Sequence, residues 1–206
     1  MQVSKSGRFV YINPPRTGTT NIWHAARRSF KDLWQPLEPS RHATVWEEDW
    51  KDFFIFMTVR HPYTRAVSIW LRLVENIQLR ENHLVKALQD GKISFADFTK
   101  EPKLVSRLSW FPCCNFVKPV PRIDHVVHLE TFKEDLVTVN KRIPDIRINA
   151  SSVANRSKSS RAKKPWHEHY TEGAIATVAE VFKQDFEDYG YNTNFNEVCD
   201  GKFFVS

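Results

Sequence analysis

A chain of 206 residues with 41% hydrophobic side chains, among them seven Trp and fifteen Phe, is long enough for a real core and fits one domain over residues 1–206. Its three cysteines, an odd number, exclude a disulfide-framed fold, and no run approaches the roughly twenty apolar residues that a membrane span needs. The net charge of +6, from 30 basic and 24 acidic side chains, suits an anionic ligand but equally fits a mildly basic surface.

Residues 1–7 carry no apolar leader, so the expected location is cytoplasmic. A first strand is predicted over residues 8–13. It enters the turn Pro14-Pro15-Arg16-Thr17-Gly18-Thr19-Thr20, and a helix is predicted from Thr19 to Lys31. That order sets backbone N–H groups, hydroxyls and a guanidinium around one anion at a helix N-terminus. A Walker A loop is excluded, because the turn has Gly18 alone and no lysine after it. So short a loop suits a single 5′-phosphate or phosphosulfate. His24 lies on the helix beyond it and is read as packing.

Residues 33–44, with Pro36 and Pro39, read as loop. Residues 45–52 read as a short acidic helix bearing Trp46 and Trp50. The apolar run Phe53–Val59 is a second strand, ending in Arg60-His61-Pro62, with Pro62 as the first residue of a helix reaching Glu75. Arg60 then stands at the carboxyl end of a strand, with Arg65 about one turn and Ser68 two turns into the helix. Ligands of open α/β sheets bind beyond the carboxyl ends of the strands, so both motifs can reach one ligand.

A helix is predicted over Ile77–Gln89, broken by Gly91, and a short one begins at Ser94 as its cap. Residues 112–124 are proline-rich and irregular. A third strand at His125–Leu129 leads into a helix at Phe132–Lys141. Residues 144–169 form a long basic loop, and a last helix runs from Thr171 to Tyr189, ended by Gly190. The fold class is α/β: a three-layer, P-loop-like fold with a central, mainly parallel sheet flanked by helices.

The pair PPRTGTT and VRHPYTRAVSIW resembles the two nucleotide-binding motifs of sulfotransferases that use 3′-phosphoadenosine 5′-phosphosulfate (PAPS). The likeness is to the carbohydrate branch that includes heparan 2-O-sulfotransferases and short soluble bacterial or viral members. Arg41-His42-Ala43-Thr44 is similar to a family His-Ala-Thr sequence. Val126–Phe132 resembles a strand ending in a glutamate, and Ile148-Asn149-Ala150-Ser151 a late nucleotide-contacting segment. The resemblance covers residues 8–191. It implies a 5′-phosphosulfate loop from Pro15 to Thr20 (Pro15, Arg16, Thr17, Gly18, Thr19, Thr20), a 3′-phosphate clamp of Arg60 and Ser68, and further contacts from Asn149 and Ser151. It implies PAPS as co-substrate, PAP as product and a hydroxyl acceptor, for which the branch suggests a glycan. If the chain is a trimmed eukaryotic form, the resemblance places it in the Golgi lumen. Three positions depart from the family pattern: Arg16 replaces a lysine, His61 an Asn or Asp, and Thr64 an Asp.

Sulfuryl transfer by in-line displacement asks for positioning and charge stabilisation. Arg16 and the Thr17–Thr20 amides and hydroxyls supply these, and His42 is the expected base, since a neutral imidazole accepts a proton near pH 7. Glu47, Glu48, Asp49 and Glu130 are rival bases. Cys113 and Cys114 lack a partner pair, so no metal is expected. The basic residues Arg156, Lys158, Arg161, Lys163 and Lys164 read equally as a flap over the nucleotide or as a solvated loop; nucleic acid is not an expected partner. Trp34, Trp46, Trp50 and Trp110 are candidates to stack on sugar rings, against the commoner fate of core packing. The competing functions are a non-catalytic module of the same fold binding an anionic glycan or nucleotide, and a divergent P-loop nucleotide kinase, which lacks its lysine.

Overall fold

The strand Phe9–Ile12 forms because four consecutive apolar residues are buried on both faces, as a parallel strand requires. In the computed structural model it is β2 of a four-stranded sheet ordered β1-β2-β3-β4, with β1 Gln2–Ser4, β3 Phe54–Val59 and β4 His125–His128. The structure describes residues 1–35, 45–75, 86–87, 90–100, 112–148 and 164–205. The helices among them are α1 Thr19–Ser29, α2 Pro62–Glu75, α3 Phe95–Lys100, α4 Phe132–Arg142, α5 Glu172–Val181, α6 Lys183–Asp188 and α7 Phe195–Cys199.

The chain divides into two compact units, Met1–Arg60 with Cys113–Asn155, and His61–Pro112 with Arg156–Ser206. The first holds the sheet. β2, β3 and β4 run parallel, with Tyr11 opposite Phe56 and Val59 opposite His128. β1 joins β2 as an antiparallel hairpin, and its outer edge is closed by mutual backbone bonds between Val3 and Trp34 of 2.9 and 2.8 Å. One face of the sheet presents Phe9, Tyr11, Phe54, Phe56 and Val127 to Ile22, Ala25 and Ala26 of α1 and Leu136 and Val139 of α4. Tyr11 and Phe56 stack at 4.7 Å between ring centroids. Arg27 and Arg28 in the last turn of α1 complement its dipole.

The second unit is built on α2, whose residues Pro62–Leu71 are all buried. Tyr63 meets the rings of Tyr170, Phe186 and Phe195, and its hydroxyl donates to Thr193 O at 3.0 Å. Arg65 and Asp185, each at most 1% exposed, form an ion pair at 3.8 Å.

Two expectations need correction, and β1 is a strand that Gln2 and Ser4 do not announce by pattern; its pairing with β2 orders it. The helix over residues 45–52 is a single 3-10 turn, Glu48–Trp50, with Trp50 buried and the acids exposed. The last helix is two, divided at Phe182 (φ −106°, ψ 17°), which is fully buried with the Arg65 guanidinium 5.6 Å from its ring. No glycine or proline marks that break, so tertiary packing sets it. Gly190 does end α6, in the left-handed conformation (φ 66°) with Tyr191 N–H bonded back to Phe186 O at 3.0 Å. α7 follows, and Tyr191 pairs with Phe204, neither of which the sequence suggested. Of the helix expected over 77–89 only residues 86–87 are described, and the greater part of the basic loop lies outside the described residues.

Candidate functional site

The carboxyl ends of β2, β3 and β4 converge on the turn Asn13–Gly18, all within the first unit. β2 stops at Ile12 because Pro14 and Pro15 cannot donate to a ladder. Arg16 then takes a left-handed conformation (φ 68°), costly for a residue with a Cβ by about 1–2 kcal/mol. Gly18 repeats it (φ 80°) as N-cap of α1, and Thr17 between them does not. Alternation of this kind turns successive N–H groups toward one point, an anion nest. The N-cap residue Gly18 makes no side-chain cap hydrogen bond, and the first turn of α1 has no acidic residue. The nest and the helix dipole therefore favour an anion in the same place.

The loop is fixed from below. Thr17 is wholly buried, and its Oγ1 donates to Pro14 O at 2.8 Å. The same oxygen lies 2.7 Å from Thr58 Oγ1, which lies 3.0 Å from Tyr11 Oη. A carbonyl only accepts, so the direction is determined: Tyr11 O–H donates to Thr58, Thr58 to Thr17, and Thr17 to Pro14. Burial pushes the Tyr11 hydroxyl above its ordinary range, the Thr58 bond opposing, so it keeps its proton. The loop is also held from above. A Cβ at Gly18 would lie 2.5 Å from Leu129 Cδ1, and Leu129 is anchored through its N–H to Val59 O at 3.0 Å. The turn bearing Leu129 and Glu130 is organised by Asp135, which accepts from His128 N (2.8 Å) and Thr131 Oγ1 (2.9 Å).

Arg60 follows Val59 directly and is half-buried, like Arg16, Gly18, Thr19 and Thr20; Pro15 is buried. The loop and the Arg60 end of β3 are thus joined through Thr17–Thr58 and through Gly18–Leu129–Val59. Ser68 lies on α2 in the second unit, 7% exposed. His42, Asn149 and Ser151 lie outside the described residues, as do Trp110 and the basic residues from Arg156 to Lys163. Thr17 was expected to offer amide and hydroxyl alike, but its hydroxyl is committed inward and its backbone remains. Tyr11, Thr58 and Leu129 were not anticipated. The available signal was that Tyr11 and Thr58 are the only hydroxyl-bearing residues of β2 and β3.

His24 is exposed against the Trp23 ring at 4.6 Å rather than packed. Glu47, Glu48 and Asp49 are exposed. His61 is wholly buried among Tyr63, Phe186, Tyr191 and Phe203, and its Nε2–H donates to Asn192 O at 3.0 Å. The Thr64 hydroxyl donates to His61 O at 3.1 Å. Both departures in the second motif therefore serve packing of the second unit, and Arg65 serves its ion pair. Trp34, Trp46 and Trp50 form one cluster at 6.0–6.2 Å, with Trp34 44% exposed. Cys113, Cys114 and Cys199 form no disulfide. Among the described residues no cluster of His, Cys, Asp and Glu could hold a metal ion, and no helix is long and apolar enough to cross a membrane.

A sequence profile of the Sulfotransferase family matches residues 3–192. Among curated proteins and among solved structures no match was found. The profile spans nearly the whole chain, sheet and both motifs included, and the chain belongs to the sulfotransferase family.

Proposed function

We propose that this sulfotransferase moves the sulfuryl group of PAPS to an acceptor hydroxyl, a sugar hydroxyl being the favoured class. The observation that carries the reading is the nest at Arg16–Gly18 opening α1, joined through β3 to Arg60. A nest of this size suits one phosphosulfate rather than a triphosphate.

The acceptor oxygen attacks sulfur as the bond from sulfur to the 5′-phosphate oxygen breaks, and PAP leaves. Charge grows on the departing phosphate, where the nest N–H groups and the Arg16 guanidinium oppose it. Arg16 stays charged near neutral pH and donates hydrogen bonds without giving up a proton; a phosphate leaving group needs little protonation. The acceptor proton goes to His42, which the His-Ala-Thr resemblance supports. Arg60 takes the 3′-phosphate. Ser68, Asn149 and Ser151 are assigned to the nucleotide on the resemblance alone, as is the basic segment as its cover.

The test is transfer from labelled PAPS to a panel of glycans, with His42→Ala in parallel. The expected result is label on a glycan, with turnover lost and PAP binding kept in the variant. PAP binding without transfer to any hydroxyl acceptor, unchanged in His42→Ala, would identify a binding module instead.

A further inference from the structure

Resting on the donor reading above, we infer that Thr58 and Tyr11 are positioning residues, whose hydroxyl relay presets the Arg16–Gly18 nest for the donor's 5′-phosphate group. Neither side chain touches the ligand; both act through Thr17.

The two strands involved read Phe-Val-Tyr-Ile and Phe-Ile-Phe-Met-Thr-Val, apolar except at these two positions. Tyr11 shares its sheet face with Phe9, Phe54 and Phe56. A fourth phenylalanine would bury as much area and leave no polar atom to satisfy. Instead the hydroxyls form a directed series of three bonds, at 3.0, 2.7 and 2.8 Å, ending on the carbonyl of Pro14, where the turn begins. Each hydroxyl donates once and each of the two threonine oxygens accepts once, so no member can turn without orphaning the next.

The residue held is Thr17, flanked by the left-handed Arg16 and Gly18. A non-glycine left-handed residue persists only where its surroundings over-determine it. With Thr17 pinned by its side chain and Gly18 under Leu129, the strained turn at Arg16 is fixed before any ligand arrives. The N–H groups then meet the anion without reorganisation, which is how preorganisation raises affinity. Removing the relay leaves the loop chemistry intact and its conformation undetermined.

The readout is the ratio of affinities for PAP and for adenosine 3′-phosphate, measured by calorimetry. This ratio isolates what the 5′-phosphate contributes. Loss of a merely structural bond lowers the folded fraction and weakens both ligands alike, leaving the ratio unchanged. Thr58→Val keeps shape and removes the hydroxyl, breaking both the bond accepted from Tyr11 and the bond donated to Thr17; loss of the second, the one that reaches the loop, should lower the ratio about tenfold. Thr58→Ser should restore it. Tyr11→Phe removes one donor and keeps the stack on Phe56; it should lower the ratio about threefold, and it carries the test if Thr58→Val does not fold. An unchanged ratio in the folded variants, with wild type strongly preferring PAP, overturns the positioning role alone. A wild-type ratio near one overturns the 5′-phosphate reading, and the relay's role with it.

Discussion

Gly18→Ala is the substitution whose cost the structure resolves into separate parts. The first is backbone: at φ 80° an alanine is strained by about 1–2 kcal/mol. The second is steric: the new methyl would lie 2.5 Å from Leu129 Cδ1, while Leu129 Cγ and Cδ2 stand at 3.7 and 3.8 Å. Only the end of the leucine obstructs, so a turn away from its rotamer relieves the clash at about 0.5–1.5 kcal/mol. Together the loss of stability should be about 1.5–3.5 kcal/mol. The assay is urea denaturation of wild type, Gly18→Ala, Leu129→Ala and the double variant. In the Leu129→Ala background the steric part disappears and the backbone part stays, so the glycine substitution should cost about 1–2 kcal/mol there. Equal cost in both backgrounds would refute the seating of Leu129 on Gly18. A cost near zero would refute the left-handed cap itself.

Asp185→Ala should cost about 3–5 kcal/mol in the same assay by removing the carboxylate paired with a buried arginine, whereas Arg65→Met combined with Asp185→Leu should cost much less. The Asp97 carboxyl is held below its ordinary range first by the Ser94 hydroxyl (2.6 Å) and then by the Ser94 N–H (3.1 Å). A depressed carboxylate contributes stability that is present above its unfolded value, about 3.9, and is lost as pH falls through the lower folded value. In an NMR titration Ser94→Ala should move Asp97 up toward the ordinary range, and an unmoved midpoint would disprove the cap.

What the sequence revealed depended on whether a feature was local. Pro14, Pro15 and Gly18 dictate a turn by their own backbone limits, and Pro62 and Ser94 start helices for local reasons, so these were readable. The Asp97 N–H bonds to Ser94 Oγ at 3.1 Å, as a cap should. Phe182 divides the last helix through its burial beside Arg65, and nothing in its neighbours' propensities announces that. β1 exists because β2 and Trp34 flank it. In the site, the loop was legible from its glycine and its arginine. Its support was not, because Tyr11 and Thr58 lie 47 residues apart and meet through strand register. His61 looked like a departure in a binding motif, and its reason lies 131 residues away at Asn192.

The central claim is that this cradle and Arg60 hold the two phosphates of a 3′,5′-bisphosphorylated nucleotide. Calorimetric titration of PAP into wild type and Arg60→Ala tests it most directly. The account predicts micromolar binding, roughly −8 kcal/mol, to wild type and much weaker binding to the folded variant. A folded wild-type protein that does not bind PAP, or a variant that binds it as well, would contradict it.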